Sequence, residues 1–172
     1  MRFAAGVAAL ALVSGAALAE PDIKPWKGKA TLPLARNDME GKAVDLKHLQ
    51  GRVLVVNFWA TWCEPCRDEM PSLQRLREKL DGRSFDVLAV NYGESREKVS
   101  QFLGREHVAL PVLLDPEMET AKAWGVGGLP MTFLVDAKGR VRYSVFGERD
   151  WSGGDSLALV EKLLAEAPRA RR

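Results

Sequence analysis

Val53-Leu54-Val55-Val56-Asn57-Phe58-Trp59-Ala60-Thr61-Trp62-Cys63-Glu64-Pro65-Cys66-Arg67 is the stretch whose reading decides the fold. Its first seven residues form an apolar run rich in valine and aromatics, broken only by Asn57, which suits a strand covered on both faces. From Cys63 the pattern changes to that of a helix. Both cysteines of the chain stand here, two residues apart, where strand hands over to helix. That placement points to thiol–disulfide exchange.

Around this stretch the chain has 172 residues, enough for one domain with its own core. With 47% hydrophobic residues and balanced charges, it has the composition of a soluble globular domain. The formal charge of +2 drops by one if the first 19 residues leave, since they carry Arg2 and no acid. So small a charge excludes an electrostatic nucleic-acid binder. The only basic cluster, Arg169-Ala170-Arg171-Arg172, reads as a solvated tail over residues 167–172.

Residues 1–19 have the layout of a secretory signal. Met1-Arg2 gives a positive start, Phe3 to Val13 an apolar stretch, and Ala17-Leu18-Ala19 a small-x-small cleavage pattern before Glu20-Pro21. The other reading is an uncleaved membrane anchor, although the Ala- and Gly-rich run is marginal for a bilayer core of ~30 Å. No cysteine adjoins the cleavage pattern, which excludes a lipid attached there through sulfur. Export to the periplasm, an oxidising setting, is therefore expected. Small exported domains often carry several structural disulfides, but this chain has one pair, closing a loop worth only ~2 kcal/mol. As a staple it would do little, so a redox role is the better reading.

In chain order, residues 20–29 are expected to be irregular. Ala30–Leu34 and Lys42–Val44, separated by Asn37-Asp38-Met39-Glu40-Gly41, suggest a β-hairpin, and Asp45 is placed to cap a short helix ended by Gly51. After the Val53–Trp59 strand, Met70, Leu73, Leu76 and Leu80 mark the inner stripe of a helix from Cys63 to about Leu80, with Pro71 expected to kink it. A strand over Phe85–Val90, a helix capped by Ser95 and running to about Arg105, and a strand over Leu110–Leu114 come next. Asp115-Pro116 is expected to open a helix over Glu117–Trp124 with proline at its first position. Past Gly125-Val126-Gly127-Gly128-Leu129-Pro130, Met131–Val135 and Val141–Phe146 form a hairpin, and a last helix runs from Gly154 or Asp155 through Ala165. The fold class is α/β, a central mixed sheet flanked by helices.

The helix start is where the chemistry belongs. Unpaired amides and the helix dipole favour a thiolate there, so Cys63, expected to be partly exposed, is the candidate attacking sulfur. Cys66, one turn in, is the candidate resolving thiol, and Pro65 fixes the geometry of the pair without losing a hydrogen bond. Glu64 either raises the thiol pKa and pushes the couple toward a better reductant, or simply projects into solvent. Glu69, one turn beyond Cys66, is a candidate base for the resolving thiol, or else an exposed helix glutamate. Asn57, buried in its strand, must find hydrogen-bond partners.

Trp59-Ala60-Thr61-Trp62-Cys63-Glu64-Pro65-Cys66 resembles the active site of thioredoxin-fold proteins, specifically the exported TlpA/ResA-like disulfide reductases. The resemblance spans about Leu32 to Leu164 and implies a thioredoxin-like domain over residues 30–166, with an N-terminal hairpin and a TlpA-type insertion over Tyr92–Leu114. Pro71 matches the helix-kinking proline of that fold. Gly128-Leu129-Pro130-Met131-Thr132-Phe133 resembles the family's cis-proline loop, which implies that Pro130 lies against the cysteine pair. It also implies that Leu129 pairs through its backbone with bound substrate, and marks Trp62, Glu64 and Pro65 as tuning or contact positions. Thioredoxins carry a buried aspartate where this chain has Asn57, whereas ResA-like proteins have a glutamate at the place of Glu69.

The resemblance implies a protein-disulfide reductase without a bound cofactor, acting as a monomer through a Cys63–Cys66 disulfide. Its implied substrates are oxidised apocytochrome c or copper-assembly proteins, and a membrane thiol donor would re-reduce it. The alternative is a copper-binding metallochaperone using the same cysteines, since soft thiolates suit Cu(I). His48 and His107 have no evident ligand context for it. A peroxidase is disfavoured, because Val56 and Ala60 stand where that family has proline and threonine.

Overall fold

The computed structural model describes residues 21–168, so the signal reading of residues 1–19 and most of the basic tail lie outside the described residues. Eight strands and four α-helices follow one another. The strands are β1 (Lys24–Pro25), β2 (Ala35–Asn37), β3 (Ala43–Asp45), β4 (Val53–Trp59), β5 (Phe85–Tyr92), β6 (Val112–Asp115), β7 (Met131–Val135) and β8 (Val141–Phe146). The helices are α1 (Glu64–Lys79), α2 (Arg96–Glu106), α3 (Glu119–Ala123) and α4 (Gly154–Ala165). Six strands make one sheet in the order β1-β8-β7-β4-β5-β6, with β4, β5 and β6 parallel and the other pairs antiparallel.

β4 lies in the middle because its side chains are apolar except for Asn57, whose Nδ2 is paired to neighbouring side chains, and all seven residues are buried. Side chains alternate along a strand, so Val53, Val55 and Trp59 face one layer and Leu54, Val56 and Phe58 the other. The first layer receives the inner stripes of α1, α2 and α4, through Leu73, Leu76, Val99, Phe102, Val160 and Leu163. The second receives α3 and the N-terminal segment, where Phe58, Trp124 and Phe133 pack with ring centroids 5.1–5.9 Å apart. Each such fully buried side chain contributes roughly 1.5–3 kcal/mol. The expected mixed sheet with helices on both faces is thus present.

Three expectations are corrected. The first hairpin strand is Ala35–Asn37, not Ala30–Leu34. Leu32 and Leu34 are apolar because they cover the second sheet face, and Pro33 has no N–H to give to a ladder. Residues 20–29 are not wholly irregular, since Lys24–Pro25 pairs with Tyr143 and Ser144 of β8. The helix expected from Glu117 begins at Glu119, after a turn in which Met118 has φ 55°. Asp115, fully buried, supplies the cap by accepting the N–H groups of Thr120 and Ala121. Elsewhere the agreement is close. Asp45 caps a 3-10 helix over Leu46–Leu49, Ser95 caps α2, and α1 continues through Pro71. Among the described residues no helix is long and apolar enough to cross a membrane.

Candidate active site

β4 ends at Trp59, and the chain turns through Ala60, Thr61 and Trp62 before Cys63 caps α1. The Cys63 N–H closes this turn onto the Ala60 carbonyl at 3.1 Å. Cys63 Sγ accepts the Cys66 N–H at 3.3 Å, so the sulfur takes the role that a side-chain oxygen has in an ordinary helix cap. Cys63 and Cys66 are joined in a disulfide. Contrary to the expected partial exposure, Cys63 is only 4% exposed and Cys66 fully buried. The exposure at this corner belongs instead to Trp62, at 63%, and to Glu64.

The second half comes from β7. Phe58 pairs with Met131, so one step further along this antiparallel register Pro130 comes level with Trp59, at the sheet end where the chain turns to Cys63. The Leu129–Pro130 peptide is cis, Pro130 is buried, and Leu129 packs against the core cluster that contains both cysteines. Phe146, the other large apolar side chain exposed to 63%, closes the register opposite Met131, and its ring fills the space a side chain at Gly128 would need.

Glu69 is not an exposed helix glutamate. It is 3% exposed, and its carboxylate accepts Asn57 Nδ2 at 2.6 Å, Trp151 Nε1 at 3.1 Å and the Arg149 N–H at 3.4 Å. Burial pushes its pKa up to about 7, against the lowering effect of those three donors, with Glu148 adding to the rise. Asn57 also donates to Thr132 Oγ1 at 2.9 Å, and Thr132 is its register partner on β7. A hydrogen-bonded chain therefore links the carboxyl one turn beyond Cys66 to the strand that follows Pro130. A carboxyl poised near neutrality can both take and return a proton.

The structure thus brings Cys63, Cys66, Glu69, Trp62, Glu64 and Pro65 together on one turn and the start of one helix, with Leu129 and Pro130 at the same sheet end. The sequence did not point to Trp151, Thr132 or Arg149. Asn57, a lone amide in an apolar strand, signalled that such partners exist but not where. His48 sits in the 3-10 helix and His107 ends α2 in a left-handed conformation, on elements separate from the cysteines.

Comparison with known proteins agrees with this geometry. A model of the Redoxin family matches residues 17–160. The chain is similar to the thiol-disulfide oxidoreductase ResA of Bacillus thuringiensis, 34% identical over 122 residues that cover 71% of this chain and 70% of that one. It is 37% identical over 110 residues to the protein of the same name from Bacillus subtilis, covering 64% and 62%. Among solved structures, a thiol:disulfide interchange protein of the thioredoxin family from Chlorobium tepidum matches with a TM-score of 0.64 and 25% identity, over 88% of this chain and 99% of that one.

Proposed function

The chain belongs to the Redoxin family and is a thioredoxin-like thiol–disulfide oxidoreductase, and we propose that it acts outside the cytoplasm as a reductant of disulfides in partner proteins. The observation that carries this reading is the disulfide at the start of α1 with a buried, near-neutral carboxyl one turn further on. In the reduced protein, the Cys63 thiolate attacks a partner disulfide. One sulfur–sulfur bond breaks, a mixed disulfide forms, and the departing partner sulfur leaves as thiolate and takes up a proton. Glu69 accepts the proton of Cys66, whose thiolate then attacks Cys63 Sγ. The partner's second sulfur leaves as thiolate and takes up the proton that Glu69 returns, so the partner departs with two thiols, and two electrons have passed to it.

Pro130 and Leu129 offer backbone to the segment carrying the partner's cysteine, while Trp62, Glu64 and Pro65 shape the contact. The apolar start of the chain and its small-x-small pattern support export to the periplasm, with residues 1–19 removed or kept as an anchor. Re-reduction then calls for a thiol donor in the membrane. Apocytochrome c and copper-assembly proteins are the substrate classes that the resemblance supports. The pair needs no bound cofactor for this cycle, one domain suffices as a monomer, and no specific observation favours the copper reading.

A Cys66→Ser variant tests this, because it stops the cycle at the mixed disulfide. Recovery of cysteine-containing export substrates bound to Cys63 is the expected result. Tight stoichiometric Cu(I) binding by the wild type with no trapped partner would overturn it.

A further inference from the structure

The cycle above makes no use of Glu94, yet this is the second buried carboxylate beside the site. It lies in the loop between β5 and α2 and its side chain is 4% exposed. Oε2 accepts the Thr61 N–H at 2.7 Å and Asn91 Nδ2 at 2.9 Å. Oε1 accepts Thr61 Oγ1 at 2.7 Å and faces Lys98 Nζ at 2.7 Å. Both polar groups that Thr61 can donate are therefore spent on one carboxylate 33 residues away. Asn91 is fully buried to serve the same group. Burial alone would push the Glu94 carboxyl up, but the donors from Lys98, Thr61 and Asn91 outweigh it and hold the pKa below the usual range. A full negative charge thus sits under the turn.

Thr61 is two residues before Cys63, within about 7 Å of chain. We infer that Glu94 is a positioning residue for Cys63: it fixes the Thr61–Cys63 turn and, balanced by Lys98, sets the charge beneath the attacking sulfur. A negative charge there opposes the thiolate, and the lysine, whose side chain is 56% exposed, offsets part of it. The inference rests on the disulfide-exchange reading only in taking Cys63 as the reacting sulfur.

The test is the pH profile of Cys63 alkylation by iodoacetamide in the fully reduced protein, with the modified cysteine identified by mass. The titratable groups in the first two turns of α1 are Glu64, Cys66, Arg67, Asp68 and Glu69, with Glu148 after β8; all are the same in wild type and both variants, so the titration of Glu69 at about 7 is common to the three profiles. Glu94→Gln is expected to lower the midpoint by about one pH unit, the effect of a unit charge at ~10 Å in an effective dielectric of ~20. Lys98→Gln, which leaves the carboxylate less compensated, is expected to raise it. A clamp without electrostatic influence would move both midpoints the same way, since each variant weakens the bonding that holds the same group. Shifts of equal sign, or an unmoved midpoint in Lys98→Gln, would overturn the inference, and that second variant decides the matter if Glu94→Gln does not fold. Alkylation needs no partner protein, so a failure to exchange with protein disulfides would count against the proposed function alone.

Discussion

The indole nitrogen of Trp151 donates to Glu69 Oε2 across 3.1 Å, joining the active helix to a residue 82 positions further along the chain. That hydrogen bond favours the ionised carboxylate and opposes the burial that keeps the proton on. Trp151→Phe keeps most of the packing and removes the donor. The Glu69 pKa is then expected to rise above about 7, moving the pH dependence of the resolving step upward. Stopped-flow exchange with a model disulfide across pH 5–9 checks this, and an unmoved or lowered midpoint contradicts it.

Glu69→Gln is expected to leave the fold intact and slow the resolving step, so that mixed disulfides accumulate. The proton that Cys66 must lose then has only water to take it. General-base assistance is typically worth 10²–10⁴-fold, which sets the scale of the loss. Rates equal to wild type at every pH would remove Glu69 from the reaction.

The same carboxyl links stability to pH. Its folded pKa of about 7 lies above its ordinary 4.5, so between those values the folded protein holds a proton that the unfolded chain has released. The contribution of Glu69 to stability is therefore full below about pH 4.5 and is lost as pH rises through 7, by roughly 3 kcal/mol at most. Denaturant midpoints of the oxidised protein at pH 5 and pH 8 measure this contribution, and Glu69→Gln should flatten the slope between them. An equal slope in both proteins would contradict the assignment.

Asn57→Asp places a second carboxyl 2.6 Å from Glu69 Oε1, if the geometry of the pair is kept. Two carboxyls at that distance cannot both ionise easily, so the pair is expected to share a proton, its upper apparent pKa moving well above 7. The pH profile of exchange reports it. A single unshifted titration would show that the two groups do not interact.

Much of this was legible in the sequence for a physical reason. β4 announces itself because a strand buried on both faces must be apolar throughout, and α1 because one stripe of it must be. The cysteines and Pro130 were found through their spacing and their likeness to a known family. Leu32 and Leu34 misled because an apolar residue records burial, not pairing, and these two cover a sheet face without joining a ladder. Trp151 and Glu94 stayed hidden because both lie in loops, where no periodicity marks the inner side. Burial of a polar side chain there depends on distant partners, Glu69 for one and Thr61 for the other.

The claim that this protein donates electrons is tested most directly by its reduction potential, from equilibration of the Cys63–Cys66 pair against glutathione buffers of known poise. The expected value lies in the reducing range, toward the roughly −270 mV of thioredoxin. A value near about −120 mV, that of a strong oxidant, would contradict the account.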